Sequence, residues 1–148
     1  MTAEKKSSPT TYFTPGFIKE IHTVMMEKFA SIGEPIPPLS PIHDREIDNL
    51  ALLPQQSFSG IELYPTLESK AAILFYKVNK SQIFPNGNKR LSLAILLTFL
   101  RINGFVLSVT EEGATQKALE LANTRAEDFE KVKIELENWI RVNLKNIT

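Results

Sequence analysis

The chain has no cysteine, so neither a disulfide framework nor a thiolate nucleophile is available, and such usage suits the cytoplasm. It has two histidines, His22 and His43, and with no cysteine beside them they provide no zinc-ligand spacing. It has no net charge: 17 Lys+Arg offset 17 Asp+Glu, without a basic cluster, which argues against an electrostatic nucleic-acid binder or a polybasic membrane surface. Apolar runs stop well short of the about 20 residues a membrane span needs. Residues 1–11 are polar, lack the apolar core of a signal peptide and are expected to form a loose tail. Repeats and low-complexity segments are missing as well.

What the chain does contain is apolar residues at helical spacing. At 148 residues and 43% hydrophobic content it is long enough to bury a core, and residues 12–148 read as one domain. Thr14-Pro15 predicts a helix start, and Phe17, Ile18, Ile21, Val24, Met25 and Phe29 carry an apolar stripe to about residue 30. His22, beside that stripe, reads as structural. Four of the nine prolines fall in residues 31–44, which should be irregular, and Asp44 is expected to cap a short helix that Pro54 ends. Residues 55–65 read as a polar connection, where the weak alternation of Ile61 and Leu63 allows a short hairpin.

Thr66 predicts the N-cap of a helix over residues 67–80, with Leu67, Ala71, Leu74, Phe75 and Val78 on one face. The following helix, to residue 102, is apolar on most sides, which marks it as core, and Asn103-Gly104 stops it. Thr110 predicts another helix to about residue 123. Thr124 with Glu127 then suggests a capping box for a last helix to about residue 144, whose apolar face is Phe129, Val132, Leu136, Ile140 and Leu144, with Trp139 at its edge. The expected fold is all-α: a helical bundle around a central buried helix, with room for a short β-hairpin.

The residues with the most chemical content run from Gln82 to Arg90 and read Gln82-Ile83-Phe84-Pro85-Asn86-Gly87-Asn88-Lys89-Arg90. Gly87 permits a tight turn, and the chain enters the apolar helix directly after it. A helix N-terminus presents free N–H groups and the positive end of the helix dipole, so it favours an anion. Asn88 can orient the loop or a phosphate oxygen, Lys89 adds a mobile charge, and Arg90 can clamp phosphate through its planar fork. The plainer alternative is that Asn86 or Asn88 caps the helix while Lys89 and Arg90 are solvated.

This segment resembles the Fic/Doc (Fido) motif, HxFx(D/E)(G/A)N(K/G)R, in the Doc-like form that carries Lys at the eighth position. Phe84, Gly87, Asn88, Lys89 and Arg90 match, Phe84 as the motif's packing residue. Further blocks agree in the same order: Pro54 to Phe58, Gly60, Leu63 to Leu67 and Lys70-Ala71-Ala72 before the motif, then Leu100 to Phe105 and Thr110-Glu111-Glu112 after it. The resemblance implies a Fic/Doc-like bundle whose motif loop holds ATP with Mg²⁺, and a flap near residues 58–66 that lines up the target chain. Phe58 and Tyr64 are then flap residues in contact with the target; as residues alone they read rather as loop anchors packed on the core. By the same resemblance the partners are a hydroxyl-bearing target protein, a translation elongation factor for Doc-type toxins, or a small cognate antitoxin.

Two departures matter. Gln82 stands where the motif has its general-base His, and Asn86 where it has the acidic residue that holds magnesium. Gln82 has no usable proton affinity near neutral pH, and positioned acid–base catalysis is worth about 10²–10⁴-fold. Asn86 offers Mg²⁺ a carbonyl oxygen without charge, which predicts weak metal affinity. His43 becomes a substitute base only if the fold carries it to the motif. Ser108, Glu112 and Gly113 fit the family's short inhibitory pattern, (S/T)xxxE(G/N), whose Glu pairs with the motif Arg; the match overlaps a simple helix start and reads as chance.

The expectation is a catalytically impaired, nucleotide- and protein-binding member of a family of protein phosphotransferases and AMP transferases. The alternatives are an active Doc-like toxin that moves phosphate or AMP from ATP to a protein hydroxyl, and a helical interaction module with no nucleotide role.

Overall fold

The computed structural model describes residues 9–81 and 88–147. Gln82, Phe84, Asn86 and Gly87 lie outside the described residues, as does most of the expected N-terminal tail. Thr11, at the end of that tail, is held: its N–H donates to Asn103 Oδ1 at 2.7 Å and its carbonyl accepts from Asn103 Nδ2 at 3.0 Å.

Six helices carry the described fold: α1 (Pro15–Ser31), α2 (Asp44–Leu52), α3 (Leu67–Lys80), α4 (Asn88–Ile102), α5 (Glu111–Ala122) and α6 (Phe129–Asn143). Their ends follow local chemistry. Thr14 Oγ1 accepts from Phe17 N at 3.1 Å and Pro15 opens α1, while Thr66 and Ser69 exchange side-chain and backbone bonds of 3.0 Å each at the start of α3. Gly104, at φ 91°, ends α4 where Asn103-Gly104 predicts a stop. Thr110 caps α5 by accepting from Gly113 N at 2.9 Å.

The fold is the expected all-α bundle, but α4 shares its centre with α3. Helix α3 packs on α4, α5 and α6, while α4 also meets α1 and the strand that follows it. Phe75, Val78, Ile95, Leu96, Phe99 and Leu100 are fully buried at this junction, and Phe13 meets Phe99 edge-on with centroids 5.6 Å apart. Every residue from 68 to 75 is buried, including Glu68, Ser69 and Lys70, so the one-sided face expected of this helix is too narrow. On α1 the predicted stripe holds except at Val24, which is 61% exposed: Ile18 and Ile21 are buried with His22, Phe17 and Met25 pack on the core, and Phe29 is half-buried.

Two small antiparallel ribbons complete the described structure. Strands β1 (Ser57–Phe58) and β2 (Ile61–Glu62) form a hairpin in the connection where weak alternation allowed one, with Phe58 opposite Ile61. Its two turn residues, Ser59 and Gly60, have φ of 52° and 79°, the left-handed pair that matches the twist of a two-residue hairpin. Strand β3 (Phe105–Leu107) pairs with β4 (Leu144–Asn146), so the last helix ends at Asn143 and Leu144 enters a strand. The expected capping box at Thr124 does not form: its hydroxyl donates back to Leu121 O at 2.7 Å, and a 3-10 turn at Ala126–Asp128 leads into α6.

Candidate functional site

Helix α4 begins at Asn88, with Lys89 and Arg90 in its first turn. Asn88 Nδ2 donates to the carbonyl of Ser81, the residue after α3, and so ties together the two ends of the 82–87 connection. Asn88 Oδ1 is buried and has no hydrogen-bond partner among the described residues. Below it, Ser92 Oγ donates to Lys89 O at 2.7 Å and accepts from Asn79 Nδ2 at 3.3 Å, and the same Nδ2 donates to Ala118 O at 3.1 Å. Asn79 thereby joins α3, α4 and α5 beneath the helix mouth.

The Arg90 guanidinium lies 4.4 Å from the centroid of the Phe29 ring and pairs through Nη2 with Glu34 Oε2. Both charged side chains stay about half-exposed, at 45% and 51%. Glu34 reaches this position because α1 unwinds through Gly33, at φ 79°, and Glu34 N donates to Phe29 O at 2.8 Å. Arg90 is thus stacked against α1 and held by a carboxylate, not simply solvated. Lys89 is exposed. The Glu112 pattern match stays a coincidence: Gly113 serves the Thr110 cap, Glu112 is exposed, and the carboxylate that Arg90 meets is Glu34.

A groove of about 690 Å³ runs beside this region, walled by Leu50 and Leu53 on one side and by Tyr76, Lys77 and Lys80 on the other. Gln56, where the hairpin begins, and Ser81, next to the 82–87 connection, line the same groove. Lys80 Nζ donates to Thr124 O at 2.6 Å and to Ala122 O at 3.4 Å, a cation placed on the carbonyl end of α5. Burial pushes its ammonium below the ordinary lysine value.

The hairpin residues separate in character. Phe58 is 74% exposed, so it is not a loop anchor packed on the core, and Ile61 opposite it is 72% exposed. Tyr64 is half-buried under Lys133, whose Nζ lies 5.7 Å from the ring centroid; burial, with Glu130 nearby, raises its phenol above the usual value. His43 serves its own turn, its Nδ1 accepting from Ser40 N at 3.1 Å. His22 is buried, and that burial, reinforced by His43, lowers its imidazole below the ordinary value.

Of the residues singled out from sequence, Asn88 and Arg90 come together at the mouth of α4, and Phe58 and Tyr64 fall on and beside the hairpin. Glu34, Phe29, Asn79 and Lys70 were missed. The sequence around two of them gives no signal: Lys70 follows Glu68-Ser69, and Asn79 stands between Val78 and Lys80. Nothing local marks Glu34 as a partner of a residue in α4. Among the described residues no group of three or more His, Asp or Glu side chains could hold a metal ion, and no helix is long and apolar enough to cross a membrane.

A buried helix entered through an asparagine, with an arginine fork in its first turn and a hairpin in the connection before α3, is the arrangement expected of the Fido class. A family model described as the Fic/DOC family matches residues 12–100, more than half of the sequence. The chain belongs to the Fic/DOC family. It is similar to "Toxin Doc" of Mycolicibacterium smegmatis (strain ATCC 700084 / mc(2)155), with 33% identity over 93 residues that cover 61% of this chain and 70% of that protein. A comparison with solved structures gives no match.

Proposed function

We propose that this chain is a Doc-like protein that binds ATP phosphates at the mouth of α4 and a second protein along the hairpin, with impaired transfer between them. The observation that carries the reading is Arg90: a half-exposed guanidinium in the first turn of a buried helix, braced on the Phe29 ring. Such a helix mouth supplies N–H donors, dipole and a planar fork to an anion. Lys89, exposed in the same turn, adds charge. For the hairpin, the exposed apolar pair Phe58 and Ile61 offers side-chain contact, and its open backbone edge suits an added strand.

In family-type phosphoryl transfer, a target hydroxyl oxygen bonds to the γ-phosphorus of ATP while the bond to the β,γ-bridging oxygen breaks and ADP departs with the electron pair. The hydroxyl proton must go to a base. Gln82 cannot take it, since a side-chain amide has no usable proton affinity near neutral pH. Positioning and electrostatics supply much of phosphoryl transfer, so slow residual turnover is compatible with this loss. Asn86 would offer a magnesium ion only an uncharged carbonyl oxygen, a weaker ligand than a carboxylate, and the bound ion would supply charge neutralisation to the phosphates. The residues therefore suit the phosphates better than the metal.

The deciding experiment restores both groups. Gln82→His with Asn86→Asp, incubated with a purified translation elongation factor and either γ- or α-labelled ATP, is expected to label the factor at least about a hundredfold faster than the parent. Label from the γ position means phosphate transfer, and label from the α position means AMP transfer. A parent chain that already labels as fast as the double variant would show that turnover is not impaired. A toxin role, suggested by the relative's name, is tested by growth arrest on expression of the restored chain; a small antitoxin partner rests on the family resemblance.

A further inference from the structure

The hairpin between α2 and α3 is ordered without packing of its own. Every residue from 55 to 63 is exposed, yet the strands keep a defined register, with Phe58 opposite Ile61 and Leu63 N donating to Gln56 O at 3.0 Å. A lone two-stranded hairpin is marginally stable at best in water. Something outside the ribbon must hold it.

Lys70 is in the right place to do so. It is 3% exposed, in the second turn of α3, within the run 68–75 where every side chain is buried. Its ammonium donates to Glu62 Oε1 at 3.2 Å and to the carbonyl of Tyr64. Glu62 belongs to the return strand of the hairpin and Tyr64 to its exit. A buried ammonium is costly unless paired, and an apolar side chain of similar length would fill the same space without that cost. What the charge adds is direction. It reaches past the core to a ribbon whose residues are all exposed and to the exit of that ribbon.

We propose that Lys70 is the positioning residue of the hairpin, fixing Phe58 and Ile61 in the orientation that receives the target polypeptide at the groove shared by Gln56 and Ser81. The proposal rests on the reading of the hairpin as the target-binding element and assigns that element its anchor. Lys70 touches neither nucleotide nor target; it acts through Glu62 and Tyr64. Its loss should therefore change how the target is held and leave nucleotide binding alone.

Two variants of the whole chain test it, Lys70→Met and Glu62→Gln, by amide hydrogen exchange and by labelling kinetics in the Gln82→His, Asn86→Asp background. In Lys70→Met, exchange over residues 56–64 is expected to rise at least about tenfold, with the protection of α4 unchanged; Glu62→Gln, which keeps the Tyr64 bond, gives a smaller rise. KM for the elongation factor rises severalfold while KM for ATP stays the same. Unchanged exchange at the hairpin in Lys70→Met overturns the proposal. If that variant loses its fold, the exposed Glu62→Gln decides, and unaltered hairpin exchange there overturns it equally. A loosened hairpin with an unmoved KM for the factor overturns the link to target positioning. Absence of labelling by the restored control chain instead refutes the proposed function, and exchange alone then decides whether Lys70 is the anchor.

Discussion

Glu34 reaches across from the end of α1 to pair with Arg90 in the first turn of α4. The contact joins a residue of the 31–44 connection to the last residue of the motif, and it engages the fork proposed to clamp phosphate. Carboxylate and nucleotide cannot both take the same donors.

Replacing Glu34 should therefore tighten anion binding while hardly changing stability. An exposed ion pair is worth roughly 0.2–1 kcal/mol, so Glu34→Ala is expected to alter the unfolding free energy by no more than about 1 kcal/mol and to strengthen Mg-ATP binding by up to about fivefold. Calorimetry on parent and variant checks this. Equal or weaker binding by the variant would mean that Glu34 and the nucleotide do not compete.

Arg90→Ala has the opposite sign. Hydrogen bonds to charged groups contribute about 1.5–3 kcal/mol, which corresponds to a loss of roughly ten- to a hundredfold in Mg-ATP affinity. Arg90→Lys should recover only part of it, because a point charge does not reproduce the fork or its stacking on Phe29. A parent chain that binds no Mg-ATP at millimolar concentration would remove the nucleotide role and leave a helical interaction module.

Asn79 is a stability position close to the site. Asn79→Ala removes the donor shared by Ser92 Oγ and Ala118 O and is expected to cost about 0.5–1.5 kcal/mol in urea unfolding. Phe99→Ala, at the fully buried junction of the bundle, gives a reference loss of about 3–5 kcal/mol. A neutral Asn79→Ala would show that its bonds do not tie the three helices together.

His22 predicts the acid side of the stability profile. Burial, then His43, lowers its folded-state value, so between that value and its ordinary one near ~6.5 the unfolded chain binds a proton that the folded chain does not. Its contribution is complete above the ordinary value and is lost as pH falls through the window below it. Urea midpoints at pH 7.5 and 5.5 should therefore differ less in His22→Leu than in the parent. An identical pH slope would assign the loss to other groups.

Much of the helical order was legible because its causes are local. Thr14-Pro15, Thr66, Thr110 and Asn103-Gly104 place helix ends through bonds spanning three or four residues, and apolar spacing marks the faces between them. The β3 and β4 ribbon was not legible, since Phe105 pairs with Asn146 and neither short strand shows alternation by itself. The Thr124 cap failed because a hydroxyl can bond back to its own helix as readily as forward to the next.

The site divides along the same line. Sequence by itself determined the family, the motif run from Gln82 to Arg90, and the substitutions at Gln82 and Asn86, because residue identity carries proton affinity and charge. Only the tertiary structure decided that Arg90 faces Glu34 and Phe29, that Asn79 joins α3 to α4 and α5, and that Lys70 reaches Glu62 and Tyr64 at the hairpin. These contacts depend on how separate helices come together, and periodicity along one segment carries no record of which distant side chain will meet it.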